Sequence, residues 1–323
     1  MEKLSINFAG AFVPVTQGKI DIPLSEFART YKNNGFVGNL IFPDTPVGRQ
    51  TNKYWLFGRE NQQLSENVLR APGSPAEQIK QTMSTDSYSC PDHALARLIP
   101  DEERGNFDAA IQVEQWSLQT LMEKINLDME NRIATAATST ANYASGNYTT
   151  LSGSSQWSDA GSTPVDDIET GKSQVRLAGV EANTLILPDA VAKVLRTHPQ
   201  ITDRFKYSKA GAIGLADLAS VFDVEKVVLA SAVKVDPSTL AASFVWGKDV
   251  VLAYTNPTAS YADVSFGKRF IWKDAPGTVG GYKVTLGRVS PPSAESDEQA
   301  VHSYYGLKVT SNVSAYLIKA AVA

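Results

Sequence analysis

From Phe107 to about Thr138, apolar residues recur mostly at three- and four-residue intervals: Ile111, Leu118, Leu121, Met122, Ile125, Met129, Ile133, Ala136 and Ala137. That spacing lines one side of an α-helix, with Glu114, Gln119, Glu123, Lys124, Asp128 and Glu130 at other positions. Pro100-Asp101-Glu102-Glu103 supplies acidic residues suited to a helix N-terminus. A helix over about 103–138 is about 50 Å long at roughly 1.5 Å per residue, a length suited to a spine. A second helix is predicted over Val165 to Gly179, started by Thr163-Pro164. The run Thr184-Leu185-Ile186-Leu187 predicts a buried strand that stops at Pro188-Asp189 and feeds a helix from Ala190 to Thr197. Leu215 to Phe222 reads as helix. Val224 to Ala230, Phe244 to Tyr254, Phe266 to Trp272, Tyr282 to Val289 and Ser303 to Ala321 read as β. The last of these holds Gly306 and Thr310-Ser311-Asn312, so it is either two strands or one bent strand. Ser139 to Thr163, rich in Ser, Thr, Asn and Gly, predicts a surface loop. The class is α+β, with sheets assembled from distant segments.

Two regions carry apolar residues without a local core to hold them. In the first forty residues Phe8, Phe12, Val13, Val15, Ile20, Ile22 and Leu24 are irregularly spaced, and Pro14, Gly18 and Pro23 interrupt any helix. This predicts an extended arm with one short helix over Leu24 to Lys32, stopped near Asn33-Asn34-Gly35. In residues 46–92 the cluster Tyr54-Trp55-Leu56-Phe57 stands among polar neighbours, and a return limb runs from about Ala76 to Cys90. The turn-rich Ala71-Pro72-Gly73-Ser74-Pro75 lies between them. A free two-stranded hairpin is marginal in water, because it has no second layer to bury a face against. The arm needs a covering surface, on its own chain or on another, and the hairpin makes physical sense if it lies across a neighbouring subunit. Tyr54, Trp55, Phe57, Arg59, Glu60 and Arg70 are the candidate contacts between subunits.

Composition narrows the function by exclusion. The 323 residues are 43% hydrophobic and 20% charged with a formal net charge of -4, ordinary for a globular chain of about two domains. That balance gives no basic footprint for binding nucleic acid. Cys90, the one cysteine, excludes an internal disulfide framework. No secretory signal or bilayer-spanning run is visible, which predicts synthesis in the cytoplasm and no membrane partner.

Catalytic constellations are equally scarce. Gly171-Lys172-Ser173 resembles the end of a phosphate-binding loop, but Asp166 stands where the earlier glycine belongs. Cys90-Pro91-Asp92-His93 has metal-like spacing, yet the only other histidines are His198 and His302, and the bland expectation is a half-buried thiol beside a surface histidine. The adjacent carboxylates Asp166 and Asp167 suit the dipole of a helix start better than acid–base chemistry. The sequence thus predicts no catalytic residue, no cofactor, no metal and no enzyme activity.

The order of segments resembles the tailed-bacteriophage major capsid proteins, which share the Hong Kong 97-like fold. Local phrases are similar too: Arg70-Ala71-Pro72-Gly73-Ser74-Pro75, Thr85 to Cys90, Ile99-Pro100-Asp101-Glu102, Asn183 to Pro188 with His198-Pro199, and Trp246-Gly247-Lys248 through Ala253-Tyr254 with Ser265-Phe266-Gly267-Lys268. The resemblance implies an N-terminal arm over 1–45, an E-loop over 46–92, a P domain over 93–184, an A domain over 185–275, and a C-terminal β-region over 276–323 returning to the P domain. It further implies pentamers and hexamers in an icosahedral shell around double-stranded DNA, assembled in the host cytoplasm and kept in the virion. Some relatives cross-link an E-loop lysine to a neighbour's asparagine; Lys53 and Lys80 lie in the hairpin, but no acceptor aligns. With no room for a scaffolding segment before residue 46, either a separate scaffolding protein directs assembly or the chain is already mature; Met1 favours the separate scaffold, with a portal and decoration proteins as further partners.

Two other readings compete. An encapsulin-like nanocompartment shell shares the fold, but more often begins with a helix. A monomeric hydrolase or sugar-binding protein would use the hairpin as a lid.

Overall fold

The computed structural model describes residues 19–20, 35–57, 63, 68–69, 72–73, 75, 78, 83–106, 110–206, 212–256, 258, 264–289 and 295–323. In chain order the first elements are β1 (Lys19–Ile20), α1 (Gly38–Ile41), β2 (Asp44–Val47), β3 (Thr51–Phe57), β4 (Met83–Ser89) and β5 (Asp92–Pro100). Then come α2 (Asp101–Asn106), α3 (Ala110–Ala137), β6 (Tyr148–Thr150), α4 (Pro164–Arg176), β7 (Thr184–Pro188) and α5 (Asp189–Leu195). They are followed by α6 (Pro199–Phe205), α7 (Leu215–Phe222), β8 (Lys226–Ala230), β9 (Val233–Val235), β10 (Ala242–Phe244) and β11 (Val250–Ala253). The last four are β12 (Gly267–Trp272), β13 (Tyr282–Arg288), β14 (Ser296–Val309) and β15 (Ala315–Lys319). The chain divides into two compact units, each made of separated segments.

The larger unit comprises Asn33–Pro91, Asn126–Ile271 and Tyr305–Ala323. Its centre is a five-stranded sheet in the order β6-β15-β11-β7-β8. Alternation of side chains sends Leu185, Leu187, Val250, Leu252 and Ile318 to one face. Ile186, Val251, Ala253 and Leu317 go to the other. The first face is covered by Ile168 and Val175 of α4, Val191 and Leu195 of α5, and Leu218 and Phe222 of α7. The second is covered by Met129, Ile133 and Ala137 of α3. Burial on both faces explains why these strands read as unbroken apolar runs.

The smaller unit comprises Met1–Lys32, Asp92–Ile125 and Trp272–Tyr304. Here β14 is paired antiparallel on one side with β13, from Ser303 opposite Tyr282 to Asp297 opposite Arg288. On its other side it pairs antiparallel with β5, from Tyr304 opposite Asp92 to Ser296 opposite Pro100. The short β1 pairs with β13 at Leu286 and Thr285. Leu118, Leu121, Met122 and Ile125 of α3 pack on Val284 and Val301 of this sheet.

Several expectations need correction. Residues 139–163 are not a mere surface loop: they hold β6, two 3-10 turns, and the fully buried Trp157, whose Nε1 donates to Asp167 at 2.8 Å. Phe244 to Tyr254 is interrupted, because Gly247 turns the chain at φ 58° between β10 and β11. The C-terminal β-region is two strands, and β14 begins at Ser296, earlier than expected. Strand β5 and helix α6 were not expected at all. Cys90 is fully buried, not half-buried. The helix expected over Leu24 to Lys32 lies outside the described residues.

Candidate assembly surface

The hairpin at residues 46–92 exists as an antiparallel pair of β3 and β4, with Thr51 opposite Ser89 and Phe57 opposite Met83. Its base is closed by the Cys90 amide donating to the Gln50 carbonyl at 2.9 Å. Residues directly opposite share a face, so Tyr88, Tyr54 and Asp86 lie on one side and Lys53, Ser87, Trp55 and Thr85 on the other.

The first side is turned to its own chain. The Tyr88 ring stacks on Phe270 of β12 with centroids 4.6 Å apart, and Tyr54 lies against the same ring at 5.4 Å. The Tyr54 hydroxyl donates to Asp86 Oδ2 at 2.9 Å, and Lys308 Nζ of β14 reaches the same oxygen at 3.2 Å. The Ser87 amide, the Tyr54 hydroxyl and Lys308 hold the Asp86 carboxyl below its ordinary range. Burial, reinforced by Asp86, pushes the Tyr54 phenol upward. Gly306 of β14 lies directly beneath the Ser89 carbonyl, where a Cβ would collide with backbone. The buried Cys90 thiol donates to the Phe270 carbonyl at 3.4 Å.

The second side faces solvent. Trp55 is 54% exposed, and Thr51, Lys53, Thr85, Ser87 and Ser89 beside it are exposed as well. A tryptophan displayed on a polar strand face has no local reason to be there. Of the other candidate contacts, Phe57 is described only through its backbone pairing with Met83. Arg59, Glu60 and Arg70, with Lys80, lie outside the described residues.

The root of the region expected to be an arm is fixed by one buried carboxylate. Glu130 of α3 is 1% exposed. Its Oε1 accepts from the Val37 amide at 3.0 Å and from Trp246 Nε1 at 2.7 Å. Its Oε2 accepts from the Gly38 amide at 2.9 Å. Burial raises the Glu130 pKa above the ordinary range, while the Trp246, Val37 and Gly38 donors oppose that shift. A Cβ on Gly38 would meet Glu130 Oε2 at 2.7 Å and Ile133 Cδ1 at 2.8 Å, so only glycine lets the chain come this close. Sequence reasoning placed Glu130 off the apolar face of the helix, did not single out Gly38, and quoted Trp246 without linking it to Glu130.

The groups that looked chemical have structural employment. Lys172, in the loop-like Gly171-Lys172-Ser173, is buried within α4 and donates to the Phe222 carbonyl at 3.0 Å and Asp223 Oδ2 at 3.1 Å. A buried serine–histidine pair does occur, with Ser162 Oγ 3.1 Å from His198 Nε2. The polarity is wrong for a nucleophile and its base. His198 Nδ1 accepts from the Gln200 amide, which leaves the ring proton on Nε2, and the Ser162 hydroxyl donates to the Asp159 carbonyl. Among the described residues no three His, Cys, Asp or Glu side chains are grouped to hold a metal. No described helix is long and apolar enough to cross a membrane.

Known proteins resemble this chain as follows. It is 31% identical over 238 residues to the major capsid protein of Burkholderia phage BcepMu, covering 73% of this chain and 76% of that protein. Its structure is similar to that of a phage-related protein from Bordetella bronchiseptica RB50, with a TM-score of 0.76 and 26% identity over 95% of this chain and 99% of the other. The cyanophage P-SCSP1u capsid structure aligns with a TM-score of 0.56 at 10% identity, over 97% of this chain and 91% of that one, a likeness of fold alone. No family model matches the sequence.

Proposed function

We propose that this chain, which belongs to the phage major capsid protein family, forms pentamers and hexamers that close into an icosahedral shell around double-stranded DNA. Its α+β architecture is the phage capsid fold. In this reading the β3–β4 hairpin is the E-loop that lies over an adjacent subunit, α3 is the spine of the P domain, and the five-stranded sheet is the core of the A domain. The chain does no catalysis. A separate scaffolding protein directs its assembly in the host cytoplasm, and a portal and decoration proteins are further partners of the shell.

The observation that carries this reading is the two-faced hairpin. One face is held down by Phe270 and Lys308 of the same chain, while the other displays the half-exposed Trp55 among exposed polar neighbours. Phage relatives favour a virion shell over a bacterial nanocompartment. The reversed Ser162–His198 polarity removes the support a hydrolase would need.

Light scattering on purified protein tests the reading. Capsomers and megadalton shells are expected; a single-chain mass in every buffer tried contradicts it. Trp55→Ala should weaken subunit association by about 2 kcal/mol per contact. Its melting temperature as a free subunit should stay unchanged, because an exposed tryptophan contributes little to its own core. A lowered melting temperature with normal assembly would make Trp55 a core residue instead.

A further inference from the structure

The strands β9 and β10 form a separate two-stranded sheet whose six residues are all exposed. Val235 is opposite Ala242 and Val233 opposite Phe244, so these four apolar residues share one face. Lys234, on the other face, sends its Nζ back to Asn131 Oδ1 of α3 at 2.9 Å. The usual polarity is therefore inverted. The polar side is directed at the unit's own helix and the apolar side at solvent, with Val235 54% exposed.

The hairpin is also built to hold its shape. Asp236 Oδ1 accepts from the Ser238 amide at 2.8 Å, the Thr239 amide at 3.2 Å and the Ser238 hydroxyl. The Asp236 amide donates to the Ala241 carbonyl at 3.0 Å, and the Leu240 amide to the Asp236 carbonyl at 2.8 Å. Below the strands, the Val245 amide donates to the Ala232 carbonyl at 2.9 Å, and both residues are buried. At the tip, Leu240 stands at φ 56°, a region that disfavours a leucine, and is 74% exposed. A bulky apolar residue in strained backbone, pointing at water, destabilises the lone subunit twice over. Such a cost makes sense if the side chain is used on a partner, and a rigid hairpin loses little entropy on docking.

The same chain offers a matching surface. Among the described residues strand β5 pairs with β14 alone, as an edge strand. Leu95 is opposite Val301, whose side chain packs under α3, so Leu95 continues that apolar face to the strand edge. Trp116 of α3 is 53% exposed, with the Arg97 guanidinium over its ring at 4.6 Å. Both surfaces are apolar and exposed, and the hairpin face carries no charge to oppose Arg97.

From this we infer that the apolar face of the β9–β10 hairpin docks onto the Leu95–Trp116 surface of a second copy of this chain. Such a contact is head-to-tail, the type that closes subunits into rings. The inference rests on the shell-forming reading and names one of its contacts.

Leu240→Asn separates docking from folding, because asparagine tolerates the left-handed backbone that leucine does not. The melting temperature of the subunit should stay level or rise, while the protein concentration needed for half-assembly rises at least tenfold. Trp116→Gln, which keeps a good helix former, should raise it similarly, and the double variant should be no worse than the poorer single one. Normal assembly of Leu240→Asn overturns the inference, as does a double variant whose losses multiply, since the two surfaces would then not meet. Failure of the unmodified chain to assemble overturns the shell reading itself, so the two failures are distinguishable.

Discussion

Glu130→Ala should lower the unfolding free energy of the subunit by about 3–5 kcal/mol. The variant leaves three buried N–H groups, from Val37, Gly38 and Trp246, without an acceptor. Each orphaned donor costs roughly 1–3 kcal/mol. Against this, removing a buried charge relieves some desolvation, but four hydrogen bonds from three donors already offset most of that cost in the native state. The orphaned donors win. Burial holds the Glu130 pKa above its unfolded value. A raised folded pKa means that its contribution is complete below the ordinary glutamate range and declines as pH rises through the raised value. Urea unfolding followed by tryptophan fluorescence should therefore show a larger wild-type advantage over Glu130→Ala at about pH 4, below the ordinary glutamate range, than at about pH 8. An equal advantage at both would mean that Glu130 titrates as it does in the unfolded chain.

Gly306→Ala should cost about 3 kcal/mol, at or above the usual range for overpacking. In most strands that exchange is favourable by roughly 0.5–1 kcal/mol, since glycine is the more entropic residue. Here the new methyl meets the Ser89 carbonyl oxygen, which is backbone and cannot rotate away. The end of β4 must lift off β14, and with it go the Tyr88–Phe270 stack and the Asp86–Lys308 contact. The hairpin should become sensitive to protease and shell yield should fall, even where the rest of the subunit still folds. Unchanged protease resistance would mean that the hairpin root does not depend on this close approach.

The parts of the fold that were legible in the sequence are those whose burial is set by local periodicity. Helix α3 reads correctly because Met129, Ile133 and Ala137 sit on one sheet face, and β7 because it is apolar on both faces. Strand β5 was missed because, as an edge strand, it keeps Leu95 and Leu98 exposed along with its polar residues, so no alternation marks it. Segment 139–163 looks like a loop by composition, yet two of its three aromatic residues, Tyr143 and Trp157, are buried. Their presence in a Ser/Thr-rich stretch was the available signal.

The candidate surface was half legible. An aromatic cluster in a polar hairpin pointed to the right segment, but not to which side chains face outward. That is decided by Phe270, some 180 positions further along than Cys90, whose thiol it also receives. Tyr54 is consequently occupied by its own chain, while Trp55 is free to serve another. Glu130 carried a signal that helix periodicity supplies: it lies three before Ile133 and seven before Ala137, on the apolar stripe. A carboxylate there is buried, and its partners come from distant segments that no local pattern reveals.

Electron cryomicroscopy of the assembled particle tests directly whether sister molecules supply what one copy lacks. The expected map shows the Trp55 face of each β3–β4 hairpin lying against an adjacent subunit. A map in which that face is folded back on its own chain, with no neighbour touching it, would contradict the account.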